Sequence, residues 1–397
     1  MTGRRLPRSF YAVAAMSGML FGVMAVSVPL HVAALHRPAS LAGEVLATAT
    51  LAVAVGAVAA GPVARRVGGG RNLLVASLVV SGTGQAALLA ASAAAGMAAG
   101  AALVGAGIGL FWVASQTLLG AGSGGPGSER RFAVHYAAYT LGVAGGSTLT
   151  GLAIAVVRRA GAGAPEAAQL SYALGIAAAL AALTIWRPRR GEPGAARPRL
   201  AAGLTPRGVA IQVPDLLLVA ALGLLLPLAP TVLSGRFHLA PFVVGVTVGG
   251  VQAGKIAGAL TGRVLTEASG HRRAILLLLV SAAVLSALLA AATLAGRAGL
   301  FVLVLVATAF VATGAWPLIV DSALARTEPA RRPSATIAWN ACEYGVIAAA
   351  TVASGWLLAA VGSPQVLFAL AALLLAAAAG CAAVVLRWPV HAPGAPT

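Results

Sequence analysis

The sequence predicts an all-α polytopic membrane protein with twelve transmembrane helices in two pseudo-symmetric six-helix bundles. Three observations carry this. The 397-residue chain is 59% hydrophobic and only 9% charged, a composition foreign to soluble domains of this size. Its apolar residues gather into twelve runs of about the 20 residues that a bilayer core demands. The two halves of the chain also repeat a short Gly/Arg segment at equivalent places.

The runs lie at roughly 10–34, 41–64, 73–95, 97–120, 132–157, 170–187, 212–234, 240–262, 274–296, 299–323, 334–361 and 364–386. In lipid each must be helical, because backbone N–H and C=O groups find no water there. The first run follows a basic start, Met1 to Arg8. From Phe10 to Leu35 it is too long for a signal-peptide core, so it reads as a retained span. Arg187 to Pro214 is rich in Arg, Pro and Gly and reads as a solvated linker. The expected organisation is an N-terminal bundle over 1–187, a cytoplasmic linker over 188–211 and a C-terminal bundle over 212–397, with a frayed Gly/Pro-rich tail from Ala392 to Thr397.

A net charge of +18 would suggest nucleic acid for a soluble protein. Here the arginines read as topology determinants, and no nucleic-acid partner is expected. With the N-terminus inside, 21 arginines fall on the cytoplasmic side and five outside, and Lys255 lies within the membrane. Both termini are then cytoplasmic and the span count is even. Cys342 and Cys381 lie in spans and form no disulfide framework. The Ala-, Gly- and Arg-rich composition points to a GC-rich bacterial genome and hence the plasma (inner) membrane. No P-loop, HExxH, GxSxG or Cys/His set with metal spacing occurs. The expectation is a protein that is not an enzyme and uses no cofactor or metal.

Ionisable residues inside the runs fall in the first, second, fifth, eighth, tenth and eleventh, and Asp215 opens the seventh at a helix N-terminus, which favours an acid. The interiors of the third, sixth, ninth and twelfth hold none, and neither does the fourth. A charge at mid-bilayer costs about 2.5–3.5 kcal/mol on insertion scales, so it normally faces a bundle interior or a wet cavity. An every-third-helix blank separates peripheral helices from those that surround a path, which is the layout of a transporter.

The repeat lies in the connections after spans two and eight. The first reads Gly61-Pro-Val-Ala-Arg65-Arg66-Val-Gly68-Gly-Gly-Arg71, and the second Gly258-Ala-Leu-Thr-Gly-Arg263-Val, then Gly270-His-Arg-Arg273. Repeated halves with a site at their interface are a transporter plan. Over almost its whole length the chain resembles the major facilitator superfamily, whose loop signature runs Gly-x-Leu-Ala-Asp-Arg-x-Gly-Arg-Arg/Lys. Gly61, Ala64, Arg66, Gly68 and Arg71 match; Val63 replaces the Leu, and Arg65 stands where the family has its Asp. The resemblance implies a gating role for this loop and a cytoplasmic charge latch, with Asp321 near the loop containing Arg263. Further likeness lies in Gly105 to Trp112, in Trp339-Asn340 and in Gly355-Trp-Leu-Leu. The family's drug–proton antiporters carry Gly-Pro-x-x-Gly-Gly late in span five. Here Gly146 to Gly151 has Ser147 for the Pro and Thr150 for one Gly.

Helical spacing places polar residues on shared faces. Span eleven carries Thr336, Asn340, Glu343, Tyr344, Thr351 and Ser354 on one stripe, which reads either as interhelical hydrogen bonding or as the wall of a path. Burying a carboxylate costs more than burying a hydroxyl, so Glu343 is the candidate proton-responsive group; an ion pair with Lys255 is the competing reading. Lys255 is the chain's only lysine and lies near Gln252. It is a candidate for binding an anionic substrate, or a counter-ion for Glu343 or Asp321. Gly250, Gly254, Gly258 and Gly262 form a packing ladder on the same helix. Span five places His135, Tyr139, Gly142, Gly146 and Thr150 together, with His135 near the cytoplasmic end, either solvated or titrating. Span four groups Gly105, Gly109, Trp112 and Gln116, and span one groups Ser17, Met24, Ser27 and His31. Trp112, Gln116 and Trp316 are candidates for touching substrate, with packing as the alternative. Glu44 reads as solvated.

The resulting expectation is a monomeric secondary transporter in a lipid bilayer, moving a small-molecule substrate by alternating access with proton coupling, efflux slightly ahead. Uptake of an anionic metabolite through Lys255 is a second reading. A non-transporting membrane enzyme or sensor is a third.

Overall fold

A computed structural model describes residues 7–120, 128–186, 206–327 and 332–388. The expected linker falls largely outside this set, as do the Ala392–Thr397 tail and the side chain of Arg263. The regular secondary structure of the described residues is all α-helix, with fourteen helices making twelve spans. In order they are α1 (Arg8–Ala34), α2 (Ala39–Val67), α3 (Gly70–Ala90), α4 (Ala94–Gly120), α5 (Ser128–Arg159), α6 (Ala164–Leu170), α7 (Tyr172–Ile185), α8 (Pro206–Leu225), α9 (Ala229–Gly235), α10 (Pro241–Ser269), α11 (His271–Leu294), α12 (Ala298–Ala325), α13 (Arg332–Val361) and α14 (Gln365–Val385). At 1.5 Å per residue, a helix of about 20 residues crosses the hydrocarbon core. The chain is a multi-pass membrane protein.

Two spans are broken helices. Span six starts at Ala164, earlier than its apolar run, with Pro165 and Glu166 in the first turn, both suited to a helix start. It is interrupted at Ser171, whose hydroxyl donates to Ala168 O at 2.6 Å and pairs with Ser27 Oγ at 2.6 Å. Span seven breaks between α8 and α9 at Pro227, which has no N–H to continue the ladder. Its first helix begins at Pro206, inside the segment read as linker. Asp215 therefore lies well inside α8, and its reading as an N-terminal acid is corrected.

The chain forms two compact units. Unit 1 comprises residues 1–197 and 227–253; unit 2 comprises 198–226 and 254–397. In unit 1, α1 packs on α5, and α4 on both α2 and α3. The core joins Phe10, Val13 and Leu20 of α1 to Leu73, Leu74 and Leu78 of α3 and to Phe111 of α4. Glycine permits the closest crossing: a Cβ on Gly142 of α5 would stand 1.8 Å from Ala15 O, and one on Gly18 of α1 would stand 1.9 Å from Tyr139 O. In unit 2, α11 packs on α12 and α14, and α8 on α12, α13 and α14. There Gly258 of the glycine ladder lies against α12, with its missing Cβ 1.9 Å from Phe310 O. That part of the ladder is packing surface, as small residues in membrane helices usually are.

Candidate functional site

Unit 2 holds two buried carboxyls close together. Trp339 and Glu343 are one turn apart on α13 and share a face. The Trp339 indole N–H donates to Asp215 Oδ2 of α8, and the Trp316 indole of α12 donates to Glu343 Oε1 at 3.1 Å. Asp215 is wholly buried and Glu343 is 8% exposed. The two acids also lie in side-chain hydrogen-bonding range of each other. The second oxygen of Asp215, Oδ1, is buried and receives no hydrogen from any described residue. One turn earlier on α8, Gln212 is buried, and its Oε1 likewise has no donor among the described residues.

Among the described residues Glu343 thus meets Trp316 and Asp215, and no bond joins it to Lys255. Asn340 and Tyr344 flank Glu343 and are half-buried. Lys255 and Gln252 are half-buried on α10, Gln252 in unit 1 and Lys255 in unit 2.

Unit 1 holds an aromatic box. His135 of α5 is wholly buried and stacks on Phe10 at 5.0 Å and Phe111 at 5.6 Å, with Trp112 edge-on at 5.7 Å. Tyr139 closes the box, 4.8 Å from Trp112 and 5.7 Å from Phe111. Neither ring nitrogen of His135 finds a hydrogen-bond partner among the described residues. α5 begins at Ser128, so His135 lies two turns inside the helix. This corrects the solvated reading. Gln116, further along α4, is exposed. His31 is buried, with its ring centroid 6.1 Å from that of Tyr172. Ser147, which replaces the family's proline, donates to Gly22 O of α1 at 3.3 Å.

The loop motif turns between α2 and α3. Gly68 closes α2 in the left-handed region at φ 86°, where glycine carries no Cβ penalty. Asn72 donates to Val67 O at 2.6 Å. Arg71 lies 5.2 Å over the Trp186 ring, and the indole returns a hydrogen bond to Arg71 O at 3.2 Å. Gly61 is half-buried; Arg65 and Arg66 are exposed. In unit 2, Asp321 is exposed on the last turn of α12. Beside it, His271 Nε2 bonds Leu318 O at 3.1 Å and the Ser322 hydroxyl. Arg326 donates to Ser322 O at 2.8 Å and Leu386 O at 3.2 Å; desolvation by burial lowers its pKa from the ordinary arginine value.

Comparison with solved structures places this architecture. A bacterial homologue of the human lysosomal transporter Spinster matches with a TM-score of 0.74 and 13% identity, covering 97% of this chain and 98% of that one. The nucleoside transporter NupG, as its D323A mutant, matches at 0.69 and 14%, covering 95% and 97%. A D-xylose-proton symporter matches at 0.67 and 16%, covering 92% and 96%. The chain has the major facilitator fold. No family model and no curated protein sequence matches it. The major facilitator fold leaves the site to be read from this chain's own residues.

Sequence reasoning missed Asp215 as the neighbour of Glu343 and Trp339 as the donor to Asp215. A signal was present: Asp215 follows Pro214 inside an apolar run, and an acid within a span marks a functional candidate.

Proposed function

We propose that this protein is a secondary transporter that moves a small organic solute by alternating access, with proton coupling through Glu343. The observation that carries the reading is a carboxylate buried in a membrane bundle and held by the Trp316 indole at 3.1 Å. A buried acid is costly unless it does something. Protonation removes its charge, and so changes which of two conformations is favoured. The fold supports the class: structures similar to this chain include a nucleoside transporter, a D-xylose-proton symporter and an auto-inhibited POT family peptide transporter, transporters rather than enzymes. In this reading two six-helix halves, 1–187 and 212–397, rock about a central site. In this reading the protein works as a monomer in the bacterial inner membrane and export is the favoured direction; the arginine bias supports cytoplasmic termini.

A second reading is uptake of an anionic metabolite. It is favoured by Lys255, the one lysine of the sequence, which lies within the span formed by α10. A thermal-shift screen of nucleosides, sugars, peptides and organic acids on the purified protein identifies ligands. Flux of each hit in proteoliposomes, with and without a pH gradient, then tests the coupling. The proposal requires Glu343→Gln to lose uphill transport. A variant that keeps full uphill transport with unchanged pH dependence overturns it.

A further inference from the structure

We propose that Asp215 and Glu343 form a two-carboxyl site that holds one proton between them, so that the group titrating in unit 2 is a pair rather than Glu343 alone. The inference deepens the proposed coupling and rests on that reading for its functional meaning, but the chemistry stands on the geometry. An ionised carboxylate only accepts hydrogen bonds; a protonated one also donates. Trp339 supplies one hydrogen to Asp215 and Trp316 supplies one to Glu343. Nothing described supplies Asp215 Oδ1, although Asp215 and Glu343 are within bonding range of each other. Two acceptors in contact repel; a single proton turns that contact into an O–H···O⁻ bond, the strong charge-assisted kind. One proton taken from water brings the pair from two negative charges to one, and no bond other than O–H forms.

Among the described residues no cationic side chain, Lys255 of α10 included, bonds either acid. Helices α12, α13 and α14 pack against α8. Besides Glu343, α13 offers Cys342 and Tyr344 near the site, and α14 offers only Cys381. The acid of α12, Asp321, is itself exposed, on the last turn. Arg326 is bound to the Ser322 and Leu386 carbonyls, and His271 on α11 is bound to Leu318 O and Ser322.

The test is infrared spectroscopy of the full chain in nanodiscs, reading the C=O stretch of neutral carboxylic acid. The other described acids, Glu44, Glu166, Glu267 and Asp321, are exposed, so among the described acids a neutral carboxyl surviving at pH 7 belongs to the pair, and its loss in the pair's variants assigns it. The expected result is a band worth about one carboxyl per chain at pH 7 that disappears in both Asp215→Asn and Glu343→Gln, because the new amide donates to the remaining carboxylate. Glu343→Asp, should the amides fail to fold, is expected to keep the band. Trp339→Phe is expected to shift its frequency. No band in the wild type, a band that survives in either amide variant, or a band that appears only when sodium is replaced by N-methylglucamine overturns the proposal; the last result indicates a sodium site. The spectrum needs no substrate. A band that behaves as expected beside pH-insensitive transport therefore removes the coupling and leaves the pair, and proton-coupled transport without the band does the reverse.

Discussion

Asp215 of α8 and Glu343 of α13 face one another inside unit 2, each capped by a tryptophan indole, Trp339 on the first and Trp316 on the second. The arrangement makes the indoles part of the acid pair's electrostatics and not merely filler.

Removing the Trp339 N–H leaves a buried carboxylate short of its donor. Hydrogen bonds to charged groups contribute about 1.5–3 kcal/mol, so Trp339→Phe is expected to lower stability by that order. Changing Asp215 as well removes the acceptor, so Trp339→Phe combined with Asp215→Asn is expected to cost less than the two single changes together. Thermal unfolding in detergent measures the cycle, and strict additivity would speak against a direct bond.

The α1–α5 crossing depends on a missing Cβ. Gly142→Ala places a methyl 1.8 Å from Ala15 O, whereas Gly145, three residues on, has nothing within 4 Å. Overpacking costs about 1–3 kcal/mol, while alanine in an open helical position gains about 0.5–1 kcal/mol over glycine. Gly142→Ala is expected to lose stability and Gly145→Ala to match or exceed the wild type. The order of their unfolding midpoints checks this.

His135 is an imidazole in an aromatic box with neither nitrogen bonded among the described residues. Burying an unpaired polar group costs about 1–3 kcal/mol. Phenylalanine keeps the stacking and removes the unpaired nitrogens. His135→Phe is expected to unfold at or above the wild-type temperature and to transport with the same pH dependence. A loss of pH dependence would move the titrating group into unit 1.

The loop after α2 is fastened by Arg71 on Trp186. A cation–π contact of this kind contributes about 0.5–1 kcal/mol where exposed, and more when desolvated. Arg71→Lys keeps the charge but loses the planar stack, so it is expected to lose most of this. Trp186→Phe is expected to lose the bond to Arg71 O and to retain part of the ring contact. A double-mutant cycle on Arg71 and Trp186 reads the coupling.

The twelve spans were legible because lipid imposes length and apolarity on every one of them. The breaks at Ser171 and Pro227 were not, since hydropathy runs on through them. Glu343 stood out as an acid in mid-span. Asp215 did not, because α8 begins at Pro206, before its apolar run, and a position that looks terminal by hydropathy is interior by hydrogen bonding. His135 was named as a candidate, but its burial was missed for the same reason at the start of α5. The pairing of Trp339 with Asp215 joins residues far apart in sequence, and nothing in local pattern encodes it. The Arg71 contact was hidden likewise: the motif identified the loop, but its partner Trp186 closes span six.

The most direct test of proton-coupled transport is solute-driven proton movement in proteoliposomes loaded with a pH-sensitive dye. Nucleosides, sugars, peptides and organic acids are added outside, without an imposed pH gradient. Wild-type protein is expected to change the internal pH with at least one solute class, and Glu343→Gln to abolish that change while ligand binding persists. Uphill accumulation of a solute by the wild type with no accompanying proton movement would contradict the account.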